Sequence, residues 1–339
     1  MKTISVRLVG WLAGAGVAAS CVAPSPAAQT GAPSRAEVRA AVESAVPILA
    51  RGASGYVRQR GCFSCHHQAL PVLAFLAAQR AGVTVEADTV TKQVEFTHAF
   101  LTGGRDNYRI GKGQGGQADT AGYALLTLEA GGRKPDETTA AVAGYLLRRE
   151  PALGYWRVTS NRPPSEASSF TTTYLALRAL RAFGSPEHQA EVAQRRAQAL
   201  AWLRQAEPRD TEDGVFRLRG LAEAGAERAE VQAAVNSLLR TQRFDGGWSQ
   251  IAGGDSDAYA TGSALVALHE AGSLPPAAPE YGRGLRFLLT SRRPEGAWHV
   301  VSRSKPFQPY FESGFPYEKD QFISSAATAW AVIALCAAL

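Results

Sequence analysis

Two kinds of apolar pattern alternate along the chain. Six runs are rich in Ala and Leu on nearly every side, at 69–82, 119–131, 171–184, 213–225, 259–272 and 325–339. Six more polar runs lie between them, at 35–53, 85–101, 135–149, 186–205, 226–242 and 279–289. The spacing predicts helices throughout. A helix that is apolar all round has to be covered on all sides, whereas an amphipathic one borders water. All the apolar runs but the last finish on Gly, the residue that most readily closes a helix C-terminus.

A short motif recurs in register with these runs. Leu146-Leu147 precedes Gly154 and Trp156, Leu238-Leu239 precedes Gly246 and Trp248, and Leu288-Leu289 precedes Gly296 and Trp298. Trp248 and Trp298 stand 50 residues apart, and Trp156 and Trp248 stand 92 apart, about two such periods. The skipped repeat contains Trp202 and lacks the Gly-x-Trp. A single hairpin of one polar and one apolar helix cannot bury its own apolar face, so the units must stack. The expected fold is therefore all-α, an α/α toroid of six helical hairpins over 35–339 with inner and outer helix rings. An open superhelix is the alternative, and it needs polar caps at both ends. The very apolar 325–339 run has no such cap, which favours a closed ring in which it meets the first helix.

The string Gln242-Arg243-Phe244-Asp245-Gly246-Gly247-Trp248 resembles the Gln/Trp repeat of the squalene-cyclase and prenyltransferase superfamily. Degenerate copies surround Trp156 and Trp298, with Glu150 and Arg292 where the family has Gln. The resemblance implies the toroid, a Gln that ties neighbouring outer helices, and a central cavity for an apolar, isoprenoid-type ligand. The chain departs from triterpene cyclases in two ways. It has length for one toroid, not two, and it lacks their Asp-x-Asp-Asp acid; the nearest strings are Asp255-Ser256-Asp257 and Gln117-Ala118-Asp119. The zinc ligands that prenyltransferases carry late in the chain have no counterpart in that region.

Composition narrows the class further. The chain has 339 residues, 45% hydrophobic and 19% charged, with a net charge of +6. That suits one sizeable core and gives no basic, aromatic-interleaved patch for nucleic acid. Lys2 and Arg7 followed by an apolar 8–19 segment read as an export leader over 1–21, too short to span a membrane. Ala18-Ala19-Ser20-Cys21 resembles a lipobox, which makes Cys21 a candidate lipid anchor; cleavage within 25–28 is the alternative. Residues 22–34 read as a flexible linker. The expected location is the periplasm or, through the anchor, the outer membrane or cell surface.

Aligning the apolar helices places His67, Gln117, Ser169, Asp210, Asp257 and Ser324 in one column at their starts, with Pro71, Ala121, Thr173, Gly214, Thr261 and Thr328 one turn further on. In a closed ring the first column rims one mouth of the cavity. Ser and Asp are also favoured helix N-caps, so four of the six have a purely structural reading. Asp255 and Asp257 can form a paired-carboxylate acid, and His67 with Asp257 can form an acid/base pair. Gln117, Asp119, Ser169, Asp210, Tyr259, Ser324 and Trp330 are candidates for ligand contact. Tyr155, Trp156, Phe170, Tyr259 and Trp330 are candidate aromatic walls for a cationic intermediate.

The sharpest chemical string is Cys62-Phe63-Ser64-Cys65-His66, the Cys-x-x-Cys-His of c-type haem attachment. It implies thioether bonds from Cys62 and Cys65 and His66 as the proximal iron ligand. The only Met is Met1, leaving His98, His188, His269 and His299 as distal candidates. A Cys62–Cys65 disulfide, another metal at Cys62, Cys65, His66 and His67, and inert buried thiols are the alternatives. Two functions follow, an isoprenoid enzyme or a haem-bearing redox or scaffold protein.

Overall fold

The computed structural model describes residues 33–306 and 308–339, with residues 1 and 3. The expected leader, Cys21 and most of the linker lie outside the described residues. From Ser34, whose hydroxyl caps the first helix through Glu37 N at 3.2 Å, six hairpins follow one another. They pair α1 (Arg35–Gln59) with α2 (Leu70–Arg80); α3 (Thr89–Gly103), by way of a short α4 (Arg105–Arg109), with α5 (Gln117–Ala130); α6 (Glu137–Arg148) with α7 (Ser169–Phe183); α8 (Gln189–Gln205) with α9 (Thr211–Ala224); α10 (Arg228–Leu239) with α11 (Ala258–Glu270); and α12 (Pro279–Ser291) with α13 (Gln321–Cys336). Two short antiparallel strands, β1 (Trp248–Ser249) and β2 (Ser256–Asp257), precede α11.

The apolar runs form the inner ring. Residues 323–336 of α13 are buried without a break, while the outer α8 buries only Arg195, Ala199 and Leu203. Round the ring α2, α5, α7, α9, α11 and α13 pack each on the next, and α13 returns to α2 and α1. The toroid is thus closed and its first and last helices are neighbours, as the uncapped apolar end requires. The join is tight. A Cβ at Gly55 of α1 would stand 1.7 Å from the Ser313 carbonyl oxygen, so only glycine lets α1 approach the 311–316 segment. The close fit at Gly52 and Gly55 lets α1 run to Gln59, beyond the 35–53 expected. Arg51 donates to the Gly314 carbonyl at 3.1 Å, and Arg292 reaches Ser44 across the join.

The recurring Trp has one role in all three copies. The indole N–H of Trp156, Trp248 and Trp298 donates to the carbonyl of Leu146, Leu238 and Leu288 at 2.8, 3.0 and 2.7 Å. The acceptor in each copy lies in the last turn of α6, α10 or α12, where carbonyls outnumber helical donors; those of Leu146 and Leu238 also accept from the N–H of Arg149 and Thr241. The backbone N–H of each Trp in turn donates to the hydroxyl of Thr173, Thr261 or Thr328 at 2.9–3.1 Å. Each Trp therefore clamps an outer helix to the inner helix of its own hairpin. Gln242 donates to the Glu280 carbonyl at 2.8 Å and accepts from Arg283 at 2.7 Å, tying α10 to α12.

Candidate functional site at the mouth of the ring

The N-termini of the inner helices gather at one face of the ring. There α2 is entered through a single π-helical turn, Cys65–Ala69, an irregularity found often at functional sites. It turns Cys65 and His66 towards the loop before α7. Arg162 and Glu166 fold that loop back on itself by exchanging backbone hydrogen bonds at 3.0 and 3.1 Å. The buried Cys65 thiol donates to Glu166 Oε1 at 3.3 Å and stands 3.0 Å from His66 Nδ1. His66 Nε2 shares a hydrogen bond with Ser165 Oγ at 3.3 Å, and the His66 carbonyl accepts from Ser325 Oγ at 2.9 Å. Arg162 forms an ion pair with the other Glu166 oxygen. One donor atom each from Cys65, His66 and Glu166 thus lies within 4.8 Å of the other two.

Burial first, and the nearby Glu166 second, push the Cys65 thiol well above its usual range. Burial and the Arg162 charge lower His66 to about 4, although its ring keeps some exposure at the mouth. At neutral pH the pair is a neutral thiol beside a neutral imidazole.

Two carboxyls stand deeper. Asp119, on the first turn of α5, has one oxygen bonded by Thr172 and the other without a hydrogen-bond partner. Burial is the main cause that raises it to about 7. Glu212 accepts from Thr171 at 2.9 Å and from Tyr259 at 3.2 Å, and burial raises it to about 8. The buried Tyr123 hydroxyl donates to the Ser165 carbonyl at 3.5 Å. Side chains fill the centre of the ring: Tyr123 and Tyr259 are 1% exposed, Trp330 2%, Glu212 4% and Arg219 5%. Arg219 sits 4.8, 5.8 and 5.6 Å from the rings of Tyr174, Phe216 and Trp330 and donates to Tyr174 Oη at 2.9 Å. The aromatic surfaces there already hold a cation of the protein's own.

The sequence-derived residues divide accordingly. Asp119, Tyr259 and Trp330 are buried on the inner helices α5, α11 and α13. Ser169 and Ser324 instead accept the N–H of Val158 and Val300 at 3.2 and 3.0 Å, each two residues after a clamping Trp. Asp210 and Asp257 are N-caps, bonded by the N–H of Asp213 and Ala260 at 3.0 Å. Gln117, at φ 51°, turns outwards and accepts from Tyr145 and Arg149 at 2.9 and 3.0 Å.

The expected Asp255–Asp257 acid is not formed as a buried pair. Asp255 is exposed in the loop before β2, and the Asp257 carboxylate is taken by Ala260 and by Gln250 at 3.0 Å. The expected His67–Asp257 pair is not formed either. His67 is buried, shares a hydrogen bond with Ser313 Oγ at 3.0 Å and stacks on Tyr56 with centroids 5.1 Å apart. It faces the ring closure rather than the mouth, because adjacent residues on a helical turn point in different directions. Of the aromatic candidates, Tyr155 and Phe170 pack on Trp202 of the outer α8, and Trp156 lies under Arg195. Glu166, Glu212, Tyr123 and Arg219 did not stand out in the sequence. Arg219 alone carried a signal, a charge interrupting the apolar run of α9.

Cys62 is exposed, its Sγ 3.2 Å from Tyr56 Oη, whereas Cys65 is buried against Glu166. A porphyrin bonded to both thiols needs them along one edge and His66 beneath its centre. As folded, the thiols face different surroundings and His66 is packed against Ser165 and Phe322, so these residues fit a single ion better than a macrocycle. The distal candidates are engaged elsewhere: His98 with Asp136, His188 with Glu191, His269 with the Leu274 carbonyl and His299 with Asp320.

No known protein family and no curated protein sequence matches the chain. Solved structures do. A variant of the type II terpene cyclase MstE from Scytonema, in complex with merosterolic acid A, aligns at a TM-score of 0.58 with 16% identity, covering 90% of this chain and 97% of that one. Another MstE variant, in complex with geranylgeranyl dihydroxybenzoate, aligns at 0.53 with 14% identity, covering 90% and 99%. A possible member of the GH105 family from Klebsiella pneumoniae aligns at 0.52 with 12% identity, covering 97% and 99%. Terpene cyclase and GH105-like proteins thus share this chain's fold, and that fold is the all-α toroid.

Proposed function

We propose that this protein is an acid–base enzyme of the cyclase or isomerase type, acting on an apolar unsaturated ligand of the isoprenoid class that enters at the mouth of the ring. Asp119 carries the reading: it is a buried carboxyl held protonated near neutrality, with one oxygen free of any hydrogen bond. A proton donor to a carbon–carbon double bond needs that combination, a neutral acid in a water-poor site with its proton not committed elsewhere. The MstE structures, which bind an isoprenoid substrate and product in the same fold, support the ligand class. Tyr123, Tyr259 and Trp330 are packed at the centre of the ring, so an elongated ligand displaces them on entry.

The test is incubation of the purified protein with geranylgeranyl-type polyenes in deuterated buffer. The expected product carries one new deuterium. Activity falls as pH rises through about 7, where Asp119 loses its proton. Asp119→Asn abolishes incorporation and leaves the melting curve intact. Neither turnover nor a ligand-induced change in Trp330 fluorescence with any member of the series would sink the reading. Export through the 1–21 leader, with Cys21 as lipid anchor, remains part of the proposal. Mass spectrometry of the mature N-terminus tests it.

A further inference from the structure

We propose that Cys65, His66 and Glu166 bind a divalent metal ion, zinc by their donor chemistry, as three protein ligands with a further position open at the mouth. The set is one sulfur, one nitrogen and one oxygen, the three donor types of zinc sites. In a tetrahedral zinc site, with bonds of about 2.3 Å to sulfur and 2.0–2.1 Å to nitrogen or oxygen, neighbouring donors stand roughly 3.3–3.6 Å apart. The Cys65 sulfur already stands 3.0 Å from His66 Nδ1 and 3.3 Å from Glu166 Oε1. The three donor atoms lie within 4.8 Å of one another, so the ligands have to draw together only slightly to close on an ion.

The surroundings are arranged as an outer shell. A metal-bound imidazole characteristically commits its second nitrogen to a hydrogen bond, and a ligating carboxylate its second oxygen. His66 Nε2 meets Ser165 Oγ at 3.3 Å, leaving Nδ1 for the ion. Glu166 Oε2 is paired with Arg162 while Oε1 faces the thiol. The π-helical turn fixes the backbone of both α2 ligands, and the paired Arg162 and Glu166 backbones fix the third. Three protein ligands are the number found in catalytic rather than closed structural zinc sites. Binding converts the thiol to a thiolate, its proton passing to solvent.

The experiment uses the full chain and reads metal, not turnover, so its outcome is independent of the proposed enzymatic function. The expected result is about one zinc per chain by elemental analysis. Cobalt(II) in its place gives a thiolate-to-metal charge-transfer band in the near ultraviolet and visible bands of a tetrahedral ion. Cys65→Ser removes the charge-transfer band, Glu166→Gln weakens metal retention at least tenfold, and Cys62→Ser leaves both unchanged. If Cys65→Ser does not fold, the cobalt spectrum of the unaltered chain and its survival in Cys62→Ser decide. No thiolate–cobalt band after cobalt loading, a band lost in Cys62→Ser but kept in Cys65→Ser, or covalent haem absorbance in the purified protein would overturn the assignment.

Discussion

Glu212 is an acid that the fold keeps uncharged. Burial is the main cause of its rise from an ordinary 4.5 to about 8, with Thr171 and Tyr259 bonded to its oxygens. The unfolded chain ionises this group from about pH 4.5 upwards, while the folded ring resists until about pH 8. The folded state therefore holds more protons through that window, and stability falls as pH rises across it. Above about pH 8 the loss is complete and the dependence flattens. Glu212→Gln keeps the shape and removes the ionisation. We expect its melting temperature to exceed that of the unaltered protein at pH 8 and to converge with it near pH 4.5. The gap at pH 8 should be on the order of 2–4 kcal/mol. Calorimetry across pH checks this, and parallel curves for the two proteins would refute it.

The hairpins depend on their clamps. Trp248 is fully buried and its indole holds the end of α10. Trp248→Ala should cost about 3–5 kcal/mol, the range for removing a large buried aromatic. Trp248→Phe keeps most of the ring and loses one hydrogen bond, so about 1 kcal/mol is expected. Denaturant titrations of both variants separate packing from hydrogen bonding. The clamps also explain how much of the fold was legible in the sequence. Helix pairs, repeat period and ring closure follow from local periodicity, and Gly-x-Trp marks the loops because the clamp acts within one hairpin. The site did not yield to the same reading. Glu166 and Cys65 are 101 residues apart and meet only because the loop before α7 folds over the start of α2. Alignment of helix starts gave a polar column, but Ser169, Asp210, Asp257 and Ser324 serve backbone N–H groups and His67 and Gln117 point away from the mouth. It placed Gln117 rather than Asp119 in that column, and it could not foresee that Asp119 keeps an unbonded buried oxygen while the hydroxyls of Ser169 and Ser324 serve neighbouring backbone.

At the level of the whole ring, stability rests on a join. Gly55 has no room for a methyl group beside the Ser313 carbonyl. Gly55→Ala should cost at least 1–3 kcal/mol, since the obstruction is backbone and overpacking of that kind relaxes poorly. Protease digestion should show the cuts moving to the 311–316 segment and the end of α1; unchanged digestion and melting would mean that the join is looser than described. Round the ring the three clamped inner helices, α7, α11 and α13, carry Thr173, Thr261 and Thr328. The remaining three, α2, α5 and α9, are entered or occupied by Cys65, His66, Asp119, Glu212 and Arg219. Three helices are committed to holding the scaffold, while the others supply most of its reactive groups. For evolution and for engineering this divides the molecule into a chassis and a set of exchangeable parts. New chemistry can be tried on α2, α5 and α9 without loosening the Trp–Thr clamps that keep the other helices in place.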